Sequence, residues 1–149
     1  MKGETIRALV VDDEPFNRDL LEQELELLGL TTMCAPNGQV ALDIIGAEQP
    51  DIVFLDIMMP EKDGFEVLEQ LKAENRLANL PVIVVSALSE MKHVARCLEL
   101  GAEDYLPKPF NPTLLSARVT GSLEKKRLQD LVARQLDTAR SVFGLSLIH

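Results

Sequence analysis

Short apolar runs, each closed by a polar residue, constrain the fold of this chain more than any other feature of its sequence. RALVV is followed by two aspartates, DIVFL by a third and PVIVV by a serine, and a lysine follows the shorter stretch EDYLP. Segments with helical periodicity separate these runs, which is typical of buried parallel strands joined by helices. The carboxyl ends of parallel strands meet at one edge, where ligands bind in open α/β sheets. We therefore expect one cluster of polar side chains: Asp12, Asp13, Asp56, Ser86 and Lys108.

The order of these patterns predicts five β/α units, and therefore a doubly wound five-stranded parallel sheet between two layers of helices. The second strand is expected at residues 31–35. Gly29 and Gly101 are expected to end the first and fourth helices, and Ser89 to cap the start of the fourth. The pair at residues 37–38 is interpreted as a turn and nothing more.

The fifth helix is expected to continue well beyond the fifth unit, because residues 122–140 are rich in helix formers and contain no proline. At about 100° per residue, Leu115, Val119 and Leu123 share one face of that helix. The later apolar residues share a nearly opposite face: Leu128, Val132, Leu136, Ala139 and Phe143. The apolar stripe thus changes sides near residue 125.

Two interpretations of this change remain open. The helix either bends back onto the body, or projects so that its second stripe meets a partner chain or a following domain. The polar run at residues 124–127 favours the projecting helix. We accordingly divide the chain into a domain of residues 1–123 and a helical extension, or linker to an output domain, of residues 124–149.

Composition excludes several classes of function. Apolar residues make up 46% of the chain and charged residues 26%, as in soluble globular proteins, and no apolar stretch is long enough to span a bilayer. The net charge of −9 disfavours direct binding to nucleic acid. Cys34 and Cys97 are far apart and lack zinc-ligand spacing. Without a secretory signal at its start, the chain is expected to be cytoplasmic.

Three carboxylates at one sheet edge repel one another unless a cation lies among them. Ligands that are all oxygen favour Mg²⁺ or Mn²⁺. Asp56, at the end of a central strand, is the candidate nucleophile, because an aspartate carboxylate can accept phosphate covalently. Lys108 can neutralise phosphoryl oxygens, and Ser86 can donate a hydrogen bond to one of them. The cluster therefore indicates a cation-assisted phosphate site.

Four motifs in a fixed order strengthen this interpretation: VVDDEP, FLDIMMPEKDGFEVL, VIVVSAL and GAEDYLPKPF. Together they resemble the response-regulator receiver domain of bacterial two-component and phosphorelay signalling, over residues 6–123. The resemblance implies a flavodoxin-like three-layer sandwich with strand order 2-1-3-4-5 and a site at the reversal of that order. It also implies a regulatory phosphoprotein and not an enzyme with a separate substrate.

The resemblance assigns roles to the acidic residues. Asp56 is expected to receive a phosphoryl group from a phosphohistidine on a sensor histidine kinase or a histidine phosphotransfer protein. Asp13 is expected to ligate Mg²⁺ together with Asp56 and the main-chain carbonyl of Met58. Asp12 is expected to act largely through a bound water.

The resemblance also implies a phosphate-binding and switch set: Ser86, Ala87, Tyr105, Lys108 and Pro109. Ser86 corresponds to the switch hydroxyl, and Tyr105 to the aromatic ring that turns inward with it. Lys108 corresponds to the phosphate-binding lysine, and its peptide bond to Pro109 is expected to be cis. The surface of the fourth helix, fifth strand and fifth helix is expected to change on phosphorylation. With the C-terminal helix, that surface is a possible homodimer interface.

Other functions are weighed against this one. A pseudo-receiver, which is a binding module of the same fold that is not phosphorylated, typically lacks the acid pair, the acceptor or the lysine, and all are present here. Haloacid-dehalogenase-like phosphatases also form an aspartyl phosphate, but they need DxD at the first strand, where this chain has adjacent Asp12 and Asp13. A flavodoxin-like redox protein would need a phosphate loop after that strand.

Overall fold

The structure, a computed structural model, describes residues 5–143, so that the first four residues and the final segment 144–149 lie outside it. The strands are β1 Arg7–Val11, β2 Thr31–Ala35, β3 Ile52–Asp56, β4 Val82–Ala87 and β5 Asp104–Lys108. The helices are α1 Pro15–Leu27, α2 Gly38–Glu48, α3 Gly64–Ala73, α4 Val94–Leu100 and α5 Pro112–Phe143, with a 3₁₀ helix at Leu88–His93 before α4. The predicted alternation of strands and helices is therefore confirmed.

All neighbouring strands are parallel, in the predicted order β2-β1-β3-β4-β5. The order reverses between β1 and β3, where the chain moves from one half of the sheet to the other. The register places Val11 of β1 beside Leu55 of β3, and Ala87 of β4 beside Lys108 of β5. The carboxyl ends of β1, β3, β4 and β5 consequently lie in one row.

Each face of the sheet supports its own apolar core, which explains why the strands are continuous apolar runs. In β3, Ile52 and Phe54 face the core shared with α1 and α5. Val53 and Leu55 face the opposite core, shared with α2, α3 and α4. All four side chains are fully buried. Removing either helical layer would expose one of these rows to water.

The pair at residues 37–38 does more than turn the chain, so the interpretation of it as a turn alone was wrong. The Asn37 side chain accepts a hydrogen bond from the Val40 N–H at 2.9 Å and caps the start of α2. Gly38 donates its N–H to the Lys62 carbonyl at 3.1 Å. A Cβ on Gly38 would overlap that same carbonyl oxygen. This glycine thus lets the loop before α3 lie directly against α2.

The fourth helix begins later than the sequence predicts. Residues Leu88–His93 form a 3₁₀ helix, and α-helical structure begins only at Val94, so Ser89 does not cap it. The N–H of Ala87, at the end of β4, donates to the Glu90 carboxylate at 3.1 Å. This hydrogen bond lies at the start of the 3₁₀ helix. Gly101 ends α4 as predicted, with φ of 117°.

Helix α5 is continuous for 32 residues, or about 48 Å. Leu115 and Val119 are buried against the body, whereas Leu128, Val132 and Leu136 are exposed. The helix projects and does not bend back, which agrees with the second interpretation of the stripe. The side chain of Phe143 lies outside the described residues. Because no break occurs at residues 123 and 124, the domain boundary placed there stays a prediction.

Two lysines fasten α5 where it leaves the body. Lys125 lies 3.2 Å from the Glu103 carboxylate, just before β5. Lys126 donates to the Asn79 carbonyl at 2.7 Å, in the loop that follows α3. The direction of the projecting helix is therefore set by contacts with the amino-end edge of the sheet. Among residues 5–143, no helix is both long enough and apolar enough to cross a membrane.

Candidate functional site

Three carboxylates converge at the reversal of strand order. Asp12 follows β1 directly, Asp13 is the next residue, and Asp56 is the last residue of β3. One oxygen from each lies within 4.8 Å of the others. Asp12 and Asp56 are buried, and Asp13 is the most exposed of the three. The predicted acidic cluster therefore exists, with one member open to solvent.

Lys108 reaches this cluster from the far side of β4. Its ammonium nitrogen lies 3.1 Å from Asp12 Oδ2 and 3.4 Å from Asp56 Oδ1. The Lys108–Pro109 peptide bond is cis, as predicted. One ammonium thus bridges two buried carboxylates, and this arrangement leaves the third carboxylate without that partner.

Asp12 is held by bonds that the sequence did not reveal. Its Oδ1 accepts the Glu14 N–H at 2.9 Å, and its carbonyl oxygen accepts a hydrogen bond from Arg18 Nη1 at 2.7 Å. Its own N–H donates to the Ala35 carbonyl of β2 at 3.1 Å. Main chain and side chain are therefore fixed independently. Arg18 looks like an ordinary surface residue of α1, and no local pattern shows that it reaches back to β1.

Burial raises the pKa of Asp56 to about 7, although Lys108 opposes the rise, and Asp12 adds to it. Burial also tends to lower the pKa of Lys108, but the carboxylates of Asp56 and Asp12 outweigh this and raise it overall. Lys108 therefore stays protonated, while one ammonium is not enough to keep Asp56 at its ordinary acidity. The cluster is short of positive charge.

This shortage predicts how the metal-free protein responds to pH. The folded-state pKa of Asp56, about 7, lies above the unfolded value, so ionisation of its carboxyl opposes folding. The contribution of Asp56 to the free energy of unfolding should be fully present below about pH 4, and it should be lost as pH rises through about 7. Asp56→Asn should raise the unfolding free energy at pH 8 by on the order of 1–3 kcal/mol, with almost no gain at pH 4. Urea titrations in chelator check this, and an equal gain at both pH values would contradict it.

The same donor set fits a divalent cation. Three carboxylates and nearby main-chain carbonyls offer only oxygen, which suits Mg²⁺ or Mn²⁺. A dication among these groups would supply the positive charge that Lys108 alone does not. The fit therefore rests on the crowding of Asp12, Asp13 and Asp56 and on the raised pKa of Asp56.

The other predicted site residues lie in β4, in β5 and in the loop after β3. Ser86 is fully buried near the end of β4, and its hydroxyl donates to the Ala87 carbonyl at 3.1 Å. Met58, in the loop after β3, is half-exposed. Tyr105 lies further down β5, where Arg118 Nε donates to its carbonyl at 2.9 Å and the guanidinium lies 5.7 Å from its ring centre. Tyr105 thus contacts α5 through Arg118.

Gly64 packs against the main chain at the end of β3, and no pattern in the sequence indicates this contact directly. Its N–H donates to the Ile57 carbonyl at 2.8 Å. A Cβ on Gly64 would lie 2.6 Å from the Asp56 carbonyl oxygen and 2.8 Å from Ile57 Cα. Asp63 caps α3 through a capping box with Glu66. The start of α3 can therefore lie directly against the end of β3.

The model of the response regulator receiver domain family matches residues 8–120. The chain belongs to this family. As a receiver domain it is part of the two-component signalling systems, whose receiver domains interact with histidine kinases and are generally regulatory. The acidic pocket is of the kind at which such domains bind Mg²⁺.

Relatives cover the receiver domain and continue beyond it. This chain is 40% identical over 119 residues to "Probable transcriptional regulator ycf27" of Porphyridium aerugineum, a match that covers 80% of this chain and 48% of that protein. It is 39% identical over 126 residues to "Response regulator MprA" of Mycobacterium ulcerans, covering 85% and 53%. The chain thus spans about half the length of these curated relatives.

Solved structures give the same assignment. The receiver domain of Francisella response regulator 1452 superposes with a TM-score of 0.74 at 33% identity, covering 81% of this chain and 98% of that one. NtrX from Brucella abortus gives a TM-score of 0.81 at 30% identity, covering 89% and 30%. The predicted flavodoxin-like receiver fold is therefore confirmed.

Proposed function

We propose that this receiver domain is a phosphorylation-activated switch in which Asp56 accepts a phosphoryl group. The donor is a phosphohistidine on a sensor histidine kinase or a histidine phosphotransfer protein. The observation that carries the proposal is the buried Asp56 carboxylate, within 4.8 Å of two other carboxylates and 3.4 Å from the Lys108 ammonium. The phosphoryl group brings about two further negative charges. Lys108 is placed to neutralise part of that charge.

The chemical step needs only positioning and charge neutralisation. A carboxylate oxygen of Asp56 attacks phosphorus and forms the new P–O bond, while the P–N bond breaks and its electron pair leaves with the imidazole. Lys108 is already within ion-pair distance of Asp56 and neutralises phosphoryl oxygens as the group arrives. The product is an acyl phosphate on the protein itself, so the chain is changed and no separate substrate is released.

Asp13 and Asp56, with the main-chain carbonyl of Met58, would hold Mg²⁺ or Mn²⁺, and Asp12 would act through a bound water. The cation supplies charge neutralisation for the phosphoryl oxygens. Asp13 suits this place because it is the most solvent-exposed of the three carboxylates. Asp12 is fixed by Glu14 and Arg18 and therefore keeps its carboxylate pointed into the cluster.

The response to phosphorylation is carried by the ends of β4 and β5. The Ser86 hydroxyl exchanges its bond to the Ala87 carbonyl for a phosphoryl oxygen. The 3₁₀ segment after β4, which is hydrogen-bonded to Ala87 through Glu90, follows it. Tyr105 then turns inward, beside the Lys108–Pro109 end of β5. The surface made by α4, β5 and α5 changes, and a partner that prefers one surface reads the state.

The response of these 149 residues themselves is protein pairing and not direct nucleic-acid binding, since they carry a net charge of −9. A homodimer through the α4–β5–α5 face and the C-terminal helix is the proposed form, in a cytoplasmic protein. Lys125 and Lys126 connect that helix to the start of β5 and to the loop before β4. A shift of β4 or β5 is thereby passed to the helix.

The native chain should gain one phosphoryl group when it is incubated with a small phosphoramidate or acyl phosphate and Mg²⁺. Intact-mass spectrometry measures the gain, which should disappear when chelator replaces Mg²⁺ because the crowded carboxylates then lack their cation. The adduct should be lost at alkaline pH, as expected for an acyl phosphate and not for a phosphoserine.

No gain in mass with any donor or divalent ion would contradict phosphoryl transfer. The same samples on a sizing column report the output. Equal dimer affinity of the phosphorylated and unphosphorylated chains would contradict the role given to the C-terminal helix while leaving the acceptor site intact.

A further inference from the structure

The N–H group of Ala87, at the end of β4, points towards β3. Along a strand, the N–H and C=O groups of one residue point to the same side, and the side alternates from each residue to the next. The Pro81 carbonyl, just before β4, accepts a hydrogen bond from the Val53 N–H of β3 at 3.0 Å. Every second residue after Pro81 therefore turns its main-chain groups towards β3, and Ala87 is one of them.

On that side, β3 has already ended at Asp56. The register pairs Asp56 with Val85, so Ala87 lies two residues beyond the level of the candidate acceptor. The next carbonyl along the chain, that of Ile57, accepts the N–H of Gly64 at 2.8 Å. The Ala87 N–H is thus a main-chain donor that lies just past the end of the neighbouring strand, on the side of the carboxylate proposed to take up phosphate.

A carboxylate of the same chain occupies this donor. Glu90 lies in the 3₁₀ helix that follows β4, is half-buried, and accepts the Ala87 N–H at 3.1 Å. Burial is the largest cause of the raised pKa of Asp56, and the negative charge of Glu90 adds a smaller contribution. Glu90 therefore lies within electrostatic reach of Asp56 as well as within hydrogen-bond distance of Ala87.

We propose that Glu90 restrains phosphorylation by holding the Ala87 N–H, so that an arriving phosphoryl group must displace this carboxylate to gain the donor. The restraint rests on phosphoryl uptake by Asp56, which is the function proposed above. A phosphoryl oxygen and the Glu90 carboxylate are both anionic acceptors, and they compete for a single N–H. The phosphoryl group also brings about two negative charges, which repel Glu90.

Displacement of Glu90 gives phosphorylation a direct effect on the segment after β4. The bond between Ala87 and Glu90 ties the first turn of the 3₁₀ helix to the end of the strand. When a phosphoryl oxygen takes the donor, that turn loses this bond and the Glu90 side chain turns away. The Ser86 hydroxyl donates to the carbonyl of the same Ala87 at 3.1 Å. Two donors at the end of β4 are thus held by internal acceptors until the phosphoryl group replaces both.

Three substitutions in the full chain separate this restraint from a simple cap of the 3₁₀ helix. Glu90→Ala removes the competing acceptor, whereas Glu90→Gln removes its charge and keeps an oxygen acceptor. Glu99→Gln is the matched control, because Glu99 is an exposed glutamate of α4. Intact mass measures the initial rate of phosphoryl uptake from a small phosphodonor with Mg²⁺.

The rate should rise about three- to tenfold for Glu90→Ala, because a hydrogen bond to a charged group no longer has to be broken. It should rise less for Glu90→Gln, whose neutral amide oxygen still competes but more weakly. Glu99→Gln should match the native rate. A residue that only caps the 3₁₀ helix would affect stability and would not slow uptake in the native chain.

Hydrogen exchange of the Ala87 amide gives a second readout. In Glu90→Ala without phosphate this amide should exchange faster than in the native chain, because it has lost its acceptor. Beryllium fluoride, which binds a carboxylate with the tetrahedral shape of an acyl phosphate, keeps the site occupied during the measurement. Together with Mg²⁺ it should slow exchange of the Ala87 amide in Glu90→Ala at least about tenfold, because it supplies a new acceptor.

Several results would overturn the restraint while leaving Asp56 as the acceptor. One is uptake by Glu90→Ala at the native rate or more slowly. Another is an equal rise in Glu90→Gln or in Glu99→Gln, which would show that only charge matters. An Ala87 amide that beryllium fluoride does not protect would show that the bound group does not use this donor. If neither the native chain nor any variant takes up phosphate, the function proposed for Asp56 fails, and the restraint fails with it.

Discussion

Asp56→Asn is expected to abolish phosphoryl uptake completely. The amide keeps the shape of the side chain but removes the nucleophilic carboxylate, and neither neighbouring aspartate is placed at the end of β3. Intact mass after incubation with a small phosphodonor and Mg²⁺ should show one phosphoryl group on the native chain and none on the variant. Asp43→Asn is the matched control, since Asp43 is exposed on α2 and bonded only to Gln39 among the described contacts.

Two results would contradict this assignment in different ways. Undiminished uptake by Asp56→Asn would move the acceptor to another residue, with Asp13 next in line because it is the most accessible member of the cluster. Uptake by neither native chain nor variant would favour the pseudo-receiver, a binding module that is not phosphorylated, even though the residues that such modules typically lack are present here. Loss of uptake in Asp43→Asn would show that the assay reports folding and not the acceptor.

The central strands β1, β3 and β4 could be predicted from the sequence because they are buried on both faces and are therefore continuous apolar runs. The edge strand β2 is mostly half-buried, and its position at residues 31–35 was also predicted correctly to the residue. The start of the fourth helix was predicted wrongly, because serine is a common N-cap residue and Ser89 was interpreted as one. The structure has a 3₁₀ helix there instead, at whose start the Glu90 carboxylate accepts the Ala87 N–H. Neither the 3₁₀ helix nor this hydrogen bond is visible in the apolar periodicity.

The charged centre of the site could be predicted because parallel strands bring their carboxyl ends to one edge. Asp12, Asp13, Asp56 and Lys108 meet there as expected. The support around them could not be predicted. Arg18 bonds a main-chain carbonyl across the β1–α1 loop, and this contact depends on side-chain direction and not on spacing. The metal ligands and switch roles taken from the family resemblance remain predictions.

The glycines next to the site show the same limit. Asp63 and Gly64 look like a turn, yet at Gly64 the start of α3 lies directly against the main chain at the end of β3. Only three-dimensional contact distinguishes such a glycine from one in open space. Gly46 of α2 is the contrasting case, because a Cβ there would meet no atom within 4 Å.

Gly64→Ala and Gly46→Ala should therefore change stability in opposite directions. At Gly64 the new methyl group would lie 2.6 Å from the Asp56 carbonyl oxygen and 2.8 Å from Ile57 Cα, and both are main-chain atoms that cannot rotate away. We expect a loss of about 2–4 kcal/mol in the free energy of unfolding. At Gly46, exposed in the interior of α2, alanine should instead add about 0.5–1 kcal/mol, because it favours the helix.

Urea denaturation of both variants beside the native chain measures these changes. Because Gly64 touches the main chain of Asp56 itself, its variant should also take up phosphoryl groups more slowly while still folded, whereas the Gly46 variant should match the native rate. Stability within about 0.5 kcal/mol of native for Gly64→Ala would show that the α3 start can move away from β3. In that case the close contact would not be what holds Asp56 in the cluster.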